Sequence, residues 1–98
     1  MQSIADRLPA AHRPETLVVA EPDDTLRARL GNTLRIDHRD LRLCRTAREA
    51  LGLVAELSPD LVITSLELPD LSGPTIIETL CERHPGLPVL ALTNRPSL

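Results

Sequence analysis

Apolar residues are grouped along this chain in short runs of β-strand length, at residues 16–20, 40–44, 60–65 and 89–92. Three of these runs do not alternate with polar residues, which is typical of strands buried on both faces of a parallel sheet. The run at 40–44, DLRLC, alternates polar and apolar positions. This alternation predicts an edge strand that leaves one of its faces open to water.

The segments between these runs carry apolar residues at the three- and four-residue spacing of amphipathic helices. The first helix is predicted from Thr25 to about Arg35, with Asp23 or Asp24 as its N-cap because an aspartate oxygen accepts the free N–H groups of the first turn. Its apolar face is formed by Leu26, Leu30, Thr33 and Leu34.

The second helix is predicted to start with a capping box, in which Thr46 and Glu49 each accept the backbone N–H of the other residue. The third helix begins at Pro74, since the first helical position does not need the N–H that proline lacks. It is predicted to stop at His84. The apolar faces are formed by Ala47, Ala50, Leu51, Val54 and Leu57 in the second helix and by Ile76, Ile77, Leu80 and Cys81 in the third.

The elements follow one another as β-α-β-α-β-α-β with short connections, and parallel crossovers are right-handed almost without exception. The sequence therefore predicts an α/β fold, a doubly wound parallel sheet of four strands, in a domain over residues 16–98. Residues 1–15 are predicted to be a flexible N-terminal segment, with a short helix over 4–8 as an alternative. Residues 36–39 are expected to form a polar turn, and residues 94–98 a loop.

The composition excludes several classes of function for this 98-residue chain, which has the length of one domain. Without Phe, Tyr or Trp the core must be aliphatic, and the usual platform for stacking single-stranded nucleic acid is missing. The net charge of −3 gives no basic footprint, so we expect no direct nucleic-acid binding. No apolar run is long enough for a membrane and no signal peptide is recognisable, so the expected location is the cytoplasm, without a membrane partner.

The two cysteines, Cys44 and Cys81, lie inside predicted elements and are expected to be buried, reduced thiols rather than a disulfide or a metal site. The histidines His12, His38 and His84 have no metal-ligand spacing with them. All 11 basic residues are arginine, so the chain contains no lysine. The absence of lysine matters for the site described below.

Four segments, in order and at matching spacing, resemble the receiver domain of bacterial response regulators. LVVAEPDDTLR (17–27) resembles the first strand and its acidic turn, and CRTAREAL (44–51) resembles the start of the second helix. PDLVITSLELPDLSG (59–73) is similar to the phosphorylation strand and loop and is the most specific match, while VLALTN (89–94) resembles the fourth strand with its switch threonine. The resemblance implies a flavodoxin-like strand order of 2-1-3-4 and a part in two-component signal transduction.

By this resemblance Glu21, Ser65 and Thr93 meet at the topological switch point of the sheet. In the family an aspartate at the position of Ser65 accepts the phosphoryl group, an acidic pair on the first loop holds Mg²⁺, and a hydroxyl and a lysine contact the phosphoryl oxygens. Here the acidic pair aligns with Glu21 and Pro22, so one carboxylate is lost, with Asp23 as an alternative second carboxylate. Thr93 fits the role of the hydroxyl, but the lysine is missing.

These departures predict a degenerate site, a pseudo-receiver that is no enzyme, takes no phosphate from the usual donors and needs no cofactor. Three crowded carboxylates repel one another and call for a divalent cation, so losing two of them removes much of the reason for Mg²⁺ to bind. Serine is a weak nucleophile without a base, and we expect the Ser65 hydroxyl to hydrogen-bond to Thr93 or to loop N–H groups instead. A phosphoserine or a ligand contact at Ser65 is the less favoured alternative.

Other charged side chains near this site have ordinary interpretations. Glu67 is expected to be solvated, with a side chain that reaches back over the site as the alternative. Glu21 is expected to be a neighbour of the helix cap, and Thr93 to be structural. An ordinary solvated surface is expected for Arg27, Arg29, Arg35, Arg39, Arg42, Arg45 and Arg48, with a basic patch for an acidic partner as the alternative.

The family continues after Thr93 with a helix, a fifth strand and a fifth helix, for which this chain leaves no room, so we expect an incomplete receiver. Strand four would be an open edge, and the first helix alone would cover its face of the sheet, leaving apolar surface that is typical of an interface. We therefore expect a phosphorylation-independent module that acts in signal transduction or transcription regulation through a protein partner or dimerisation along this edge.

Two other functions remain open at this stage. A small-ligand-sensing domain would bind its ligand at the degenerate phosphorylation site, where the loops after strands one, three and four come together. An enzyme of another doubly wound class is disfavoured, because no Gly-rich phosphate loop follows the first strand and no nucleophile–base pair is visible.

Overall fold

A four-stranded parallel sheet and three helices make up the computed structural model of this protein, which describes residues 16–35 and 40–93. The elements, in chain order, are β1 (Thr16–Ala20), α1 (Asp24–Leu34), β2 (Asp40–Cys44), α2 (Ala47–Leu57), β3 (Leu61–Ser65), α3 (Gly73–Arg83) and β4 (Val89–Leu92). The strands lie in the order β2-β1-β3-β4, and every neighbouring pair is parallel. The predicted fold class and the strand order implied by the resemblance are confirmed.

The helices are divided unequally between the two faces of the sheet. Alternate residues of a strand point to opposite faces, so Val18 and Val62 pack with α2 and α3, whereas Leu17, Val19 and Ile63 pack with α1. On the first face the helices contribute Ala47, Ala50, Val54, Ile76 and Leu80, all of which are buried. On the second face α1 contributes Leu30 and Leu34, which are partly buried.

The strand β4 is the more exposed edge of this sheet. In the described residues its hydrogen-bonded neighbour is β3, and its inner residues Leu90 and Ala91 are exposed. Leu90 pairs in register with Ile63, which places it on the face of α1, and 52% of its surface is exposed. Exposed apolar surface is therefore present at Leu90 of β4, as expected. The expectation is wrong for β3, where the residues from Val62 to Ser65 are buried.

The helix starts agree with the predicted caps in position and differ in detail. Asp23 is the N-cap of α1 and accepts the N–H of Leu26. Thr46 caps α2 by accepting the N–H of Glu49, as predicted. The second predicted hydrogen bond of the capping box is wrong. The Glu49 carboxylate accepts the Thr46 hydroxyl at 3.1 Å instead of the Thr46 backbone N–H.

The third helix starts one residue before the predicted position. Ser72 is its N-cap, so Gly73 occupies the first helical position and Pro74 the second. Both positions tolerate proline, since the first N–H groups of a helix have no partner within it. The predicted stop at His84 is confirmed, and Gly86 follows with a φ of 88° that favours glycine.

The two thiols have opposite environments, which corrects one prediction. Cys44 is buried at the end of β2, where its Sγ lies 3.5 Å from the carbonyl oxygen of Val19, and burial raises the pKa of this thiol to about 12. Cys81 was expected on the buried face of α3 but is exposed. The spacing that placed Cys81 beside Ile77 and Leu80 holds, yet the sheet covers the stripe through Ile76 and Leu80 and leaves Cys81 at its margin.

Three sequence predictions lie outside the described residues: the segment 1–15 with its alternative short helix, the turn at 36–39 and the loop at 94–98. Within the described part of the chain, each helix is too short and too polar to cross a membrane.

Candidate functional site

The register of the sheet brings the ends of β1, β3 and β4 together at one edge. Ala20 pairs with Thr64, and Ser65 pairs with Leu92. The residues that follow these strand ends, Glu21 and Thr93, therefore lie at the same carboxyl edge as Ser65. This is the edge at which open α/β sheets bind their ligands.

Ser65 is a buried hydroxyl, with 2% of its surface exposed. Its Oγ accepts the backbone N–H of Glu67 at 3.1 Å, so one of the two expected kinds of partner, a loop N–H, is confirmed. Its backbone carbonyl accepts the hydroxyl of Thr64, also at 3.1 Å. The described contact of Ser65 Oγ is thus with an amide donor, which cannot remove a proton from the hydroxyl.

Glu21 is more deeply buried than the sequence indicated, with 1% of its surface exposed. Its Oε2 accepts the N–H of Asp23 at 2.8 Å, which makes it the expected neighbour of the α1 cap. Its Oε1 is buried and has no hydrogen-bond partner among the described residues. A buried acceptor left without a donor lowers the stability of the fold by roughly 1–3 kcal/mol. Among the described residues, Glu21 Oε1 is a buried acceptor of this kind.

Pro22 and Asp23 do not add a second carboxylate to Glu21. Pro22 is partly buried and carries no acidic group. Asp23 is exposed, and its Oδ1 accepts the N–H of Leu26 at 2.8 Å, so this side chain is engaged with the first turn of α1. The alternative of Asp23 as a replacement carboxylate is not favoured by this geometry.

The remaining predicted site residues lie at the rim. Thr93 and Glu67 are both exposed. Glu67 contributes its backbone N–H to Ser65, and it forms an antiparallel bridge with Ser72 across the loop. His84 lies at the end of α3, far along the helix from this edge, as expected.

Arg27 is a residue of this site that the sequence did not reveal. The prediction of a solvated surface position is wrong for Arg27, because only 13% of its side chain is exposed. Its guanidinium donates to the carbonyl oxygen of Glu21 at 3.0 Å, contacts that of Pro22 at 3.4 Å and forms an ion pair with Asp24. Its position one turn into α1 is the signal that could have identified it, since such a side chain can fold back over the preceding loop.

The loop between β3 and α3, residues 66–73, is closed on itself. Gly73 donates its N–H to the carbonyl oxygen of Leu66 at 3.1 Å. A Cβ atom at Gly73 would lie 2.8 Å from the Cα of Leu66, a distance that no side chain tolerates, so the loop requires glycine here. The closure holds the Glu67 N–H against Ser65.

Asp70 ties this loop to the next helix, and the sequence did not predict it. Its two carboxylate oxygens accept the N–H groups of Ala47 at 2.8 Å and Arg48 at 2.9 Å. With Thr46 accepting the N–H of Glu49, the first three N–H groups of α2 all have side-chain partners. The N–H groups of Arg48 and Ala47 hold the pKa of Asp70 below its usual value.

The donor set at this edge does not fit the divalent cation of the resembled family. One buried carboxylate, Glu21, stands beside a proline and a serine, and the described residues contain no group of three or more His, Cys, Asp or Glu side chains placed to hold a metal ion. Hard divalent cations favour several carboxylate and carbonyl oxygens. The arrangement offers hydrogen-bond donors and acceptors, together with one uncompensated acceptor, rather than a metal centre.

Comparison with known proteins identifies the family. The model of the response regulator receiver domain matches residues 17–97. The chain is 32% identical over 85 residues to the response regulator MprA of Mycolicibacterium vanbaalenii and 28% identical over 86 residues to the probable transcriptional regulatory protein TcrX of Mycobacterium tuberculosis. These alignments cover 87% and 88% of the chain, respectively, but 37% of each relative, so the chain spans less than half of their length.

Comparison with solved structures also finds a receiver domain of the same fold. The signal receiver domain of an HD domain-containing protein from Pseudomonas fluorescens superposes with a TM-score of 0.80 at 27% identity, over 92% of this chain and 66% of that one. The family model covers most of the chain, and the sheet has the strand order 2-1-3-4 that the resemblance implied. This chain therefore belongs to the response regulator receiver domain family of two-component signalling.

Proposed function

We propose that this receiver domain works without aspartyl phosphorylation and passes on its signal through protein–protein contact, as part of a transcription regulator. The observation that carries the proposal is Ser65, a buried neutral hydroxyl held by the Glu67 N–H at the carboxyl end of β3. In the family this position holds the carboxylate that accepts the phosphoryl group. The name of TcrX, a probable transcriptional regulatory protein, supports the choice of output.

The chemistry of the site supports the loss of phosphoryl transfer. A serine becomes a competent nucleophile when a base takes its proton, and the described partner of Ser65 Oγ is an amide donor. A transferring phosphoryl group also needs positive charge around its oxygens. Here the cation-binding carboxylates are reduced to Glu21, so the usual means of holding a divalent cation beside the phosphoryl oxygens is not in place.

The surface proposed for the contact is the edge of β4 together with Leu90. An edge strand presents unpaired backbone N–H and C=O groups that can add a strand from another chain. Leu90 supplies an exposed apolar side chain on the adjoining face, beside the partly buried Leu61 and Leu92. We propose a second copy of this receiver as the occupant, which makes the contact a dimer interface.

Incubation of the protein with acetyl phosphate and Mg²⁺, followed by intact mass measurement, tests the loss of phosphorylation. We expect an unchanged mass. A receiver domain that carries an aspartate at the position of Ser65 serves as the positive control and should gain one phosphoryl group. A phosphoryl adduct that maps to Ser65 would overturn the proposal.

A second candidate function is favoured by Glu21. Its Oε1 is buried and lacks a donor among the described residues, so a small ligand that brings a hydrogen-bond donor would satisfy it. In this case the domain is a small-ligand sensor at the degenerate site.

A thermal-shift screen of small cationic and amide-bearing molecules separates the two functions. Stabilisation that disappears in Glu21→Gln and leaves the solution mass unchanged favours the sensor, since bound ligand stabilises the folded state. Absence of any stabilised condition, together with a mass that depends on protein concentration, favours the contact module.

A further inference from the structure

A groove lined by two arginines combines positive charge with apolar walls. It lies between α2 and α3, beside the loop that follows β3, and has a volume of about 290 Å³. Its lining residues are Arg48, Leu51, Asp70, Leu71 and Arg83. The groove is separate from Ser65 and from β4, so it does not depend on the proposed function.

The charges around this groove are unequal. Arg48 and Arg83 are exposed, and neither guanidinium forms an ion pair among the described residues. The carboxylate of Asp70 is turned to the start of α2, where both of its oxygens accept backbone N–H groups. The charge of Arg48 also helps to lower the pKa of Asp70, so the two side chains interact electrostatically. With two arginines and one aspartate in its lining, the groove keeps a net charge of +1 toward a ligand.

The apolar wall and the volume limit what can bind. Leu51 and Leu71 are partly buried and pack against the main core, so they form a fixed apolar surface within the groove. Pockets for drug-sized ligands have volumes of roughly 300–1,000 Å³. A groove at or below the lower end of this range fits one aliphatic side chain rather than a cofactor.

From these observations we infer that the groove between α2 and α3 is a docking site for an acidic segment of a partner protein. A leucine-sized side chain of the segment lies against Leu51 and Leu71, and carboxylates on either side of it pair with Arg48 and Arg83. Arginine suits this role because its planar guanidinium binds a carboxylate through two parallel hydrogen bonds. The apolar anchor distinguishes this ligand from a simple polyanion.

The probe is a short fluorescein-labelled peptide with one central leucine flanked by glutamates, and its binding to the whole chain is followed by fluorescence anisotropy. In the double variant Arg48→Ala/Arg83→Ala we expect the affinity to fall about tenfold, since each exposed ion pair contributes modestly. The fold should survive, because Asp70 binds the backbone N–H of Arg48 and not its side chain. Arg29→Ala, an exposed arginine of α1, is the matched control and should bind as the wild type does.

Two further peptides and one competitor decide the chemistry of the ligand. Replacement of the leucine by serine, or of the glutamates by glutamine, should weaken binding, and the largest amide shifts in NMR spectra should occur at Leu51 and Leu71. Equal binding of the leucine and serine peptides, or full competition by an oligonucleotide of the same charge, would show attraction of polyanions in general and overturn the inference. Unchanged affinity in the double variant would overturn it as well.

Discussion

The two faces of the sheet are covered to different depths. On the face of α2 and α3, 10 of the described residues form one buried cluster, whereas 3 form the buried cluster on the face of α1. Leu80 of α3 is fully buried, while Leu90, which lies on the face of α1, is 52% exposed. The first face therefore holds most of the buried core, and the second leaves apolar surface exposed at Leu90.

The loop after β3 is held in shape by contacts with the more deeply covered face and with its own backbone. Leu68 of this loop is buried in the larger cluster, Asp70 binds α2, and Gly73 closes against Leu66. None of these three contacts involves the side chain at position 65. The shape of this loop is therefore compatible with a neutral side chain at position 65.

The largest effect is expected from truncating the same side chain on each face. Leu80→Ala should lower the free energy of unfolding by about 2–5 kcal/mol, since it opens a cavity in the larger cluster. Leu90→Ala should change it by less than about 0.5 kcal/mol, because the site is exposed. Urea denaturation followed by far-UV circular dichroism measures both, and equal losses would remove the distinction between the two faces.

A smaller loss of stability is expected from a methyl group added to the loop. Gly73→Ala should lower the free energy of unfolding by about 1–3 kcal/mol, because its Cβ would collide with the backbone of Leu66. Gly52 is the matched control, since a Cβ there meets nothing within 4 Å in the middle of α2. Gly52→Ala should raise the stability by up to about 1 kcal/mol, and a similar effect of both changes would argue against a tightly closed loop.

The cap formed by Asp70 should make stability depend on acid pH. The pKa of Asp70 is lowered from its ordinary value of 3.8, so its stabilising contribution is present above that value and is lost as the pH falls through the lower pKa of the folded state. Asp70→Asn should therefore be less stable than the wild type at neutral pH, and the gap should close in acid. Parallel stability curves for the two proteins would exclude the cap as the cause.

The two cysteines should react with iodoacetamide to very different extents in the folded protein. Cys81 is exposed, whereas Cys44 is buried with a pKa raised to about 12, so its reactive thiolate is scarce. Native protein should gain one adduct, at Cys81, and urea-unfolded protein should gain two. Rapid double labelling of the native protein would show that the end of β2 opens readily.

The sequence predicts the architecture well, because burial and chain direction follow from local patterns. The continuous runs at 16–20 and 60–65 predict interior strands. The first two helices are recognisable from their caps, the third from Pro74, and all three from their apolar spacing. Two predictions are wrong, the start of α3 and the burial of Cys81. At each of these positions, neighbouring residues fit the same local sequence pattern equally well. Tertiary packing decides between such neighbours, and no local pattern contains that information.

The site was predictable in its residue types and less so in its contacts. The positions of Glu21, Ser65 and Thr93 at one edge follow from the strand order that the resemblance implied. The burial of Glu21, the return of Arg27 over the first loop and the capping of α2 by Asp70 depend on side chains that approach through space. The last of these joins residues more than twenty positions apart, which the spacing of residues within one segment does not reveal.

The most direct test of the proposed function is the solution mass of the protein by sedimentation, with and without acetyl phosphate and Mg²⁺, for the wild type and for Leu90→Asp. A charged side chain on the β4 surface should prevent association without unfolding the domain. We predict that the wild type is a dimer whose mass does not respond to the phosphodonor, and that Leu90→Asp is a folded monomer. A wild type that is a monomer, or that associates when the phosphodonor is added, would contradict signalling by contact without phosphorylation.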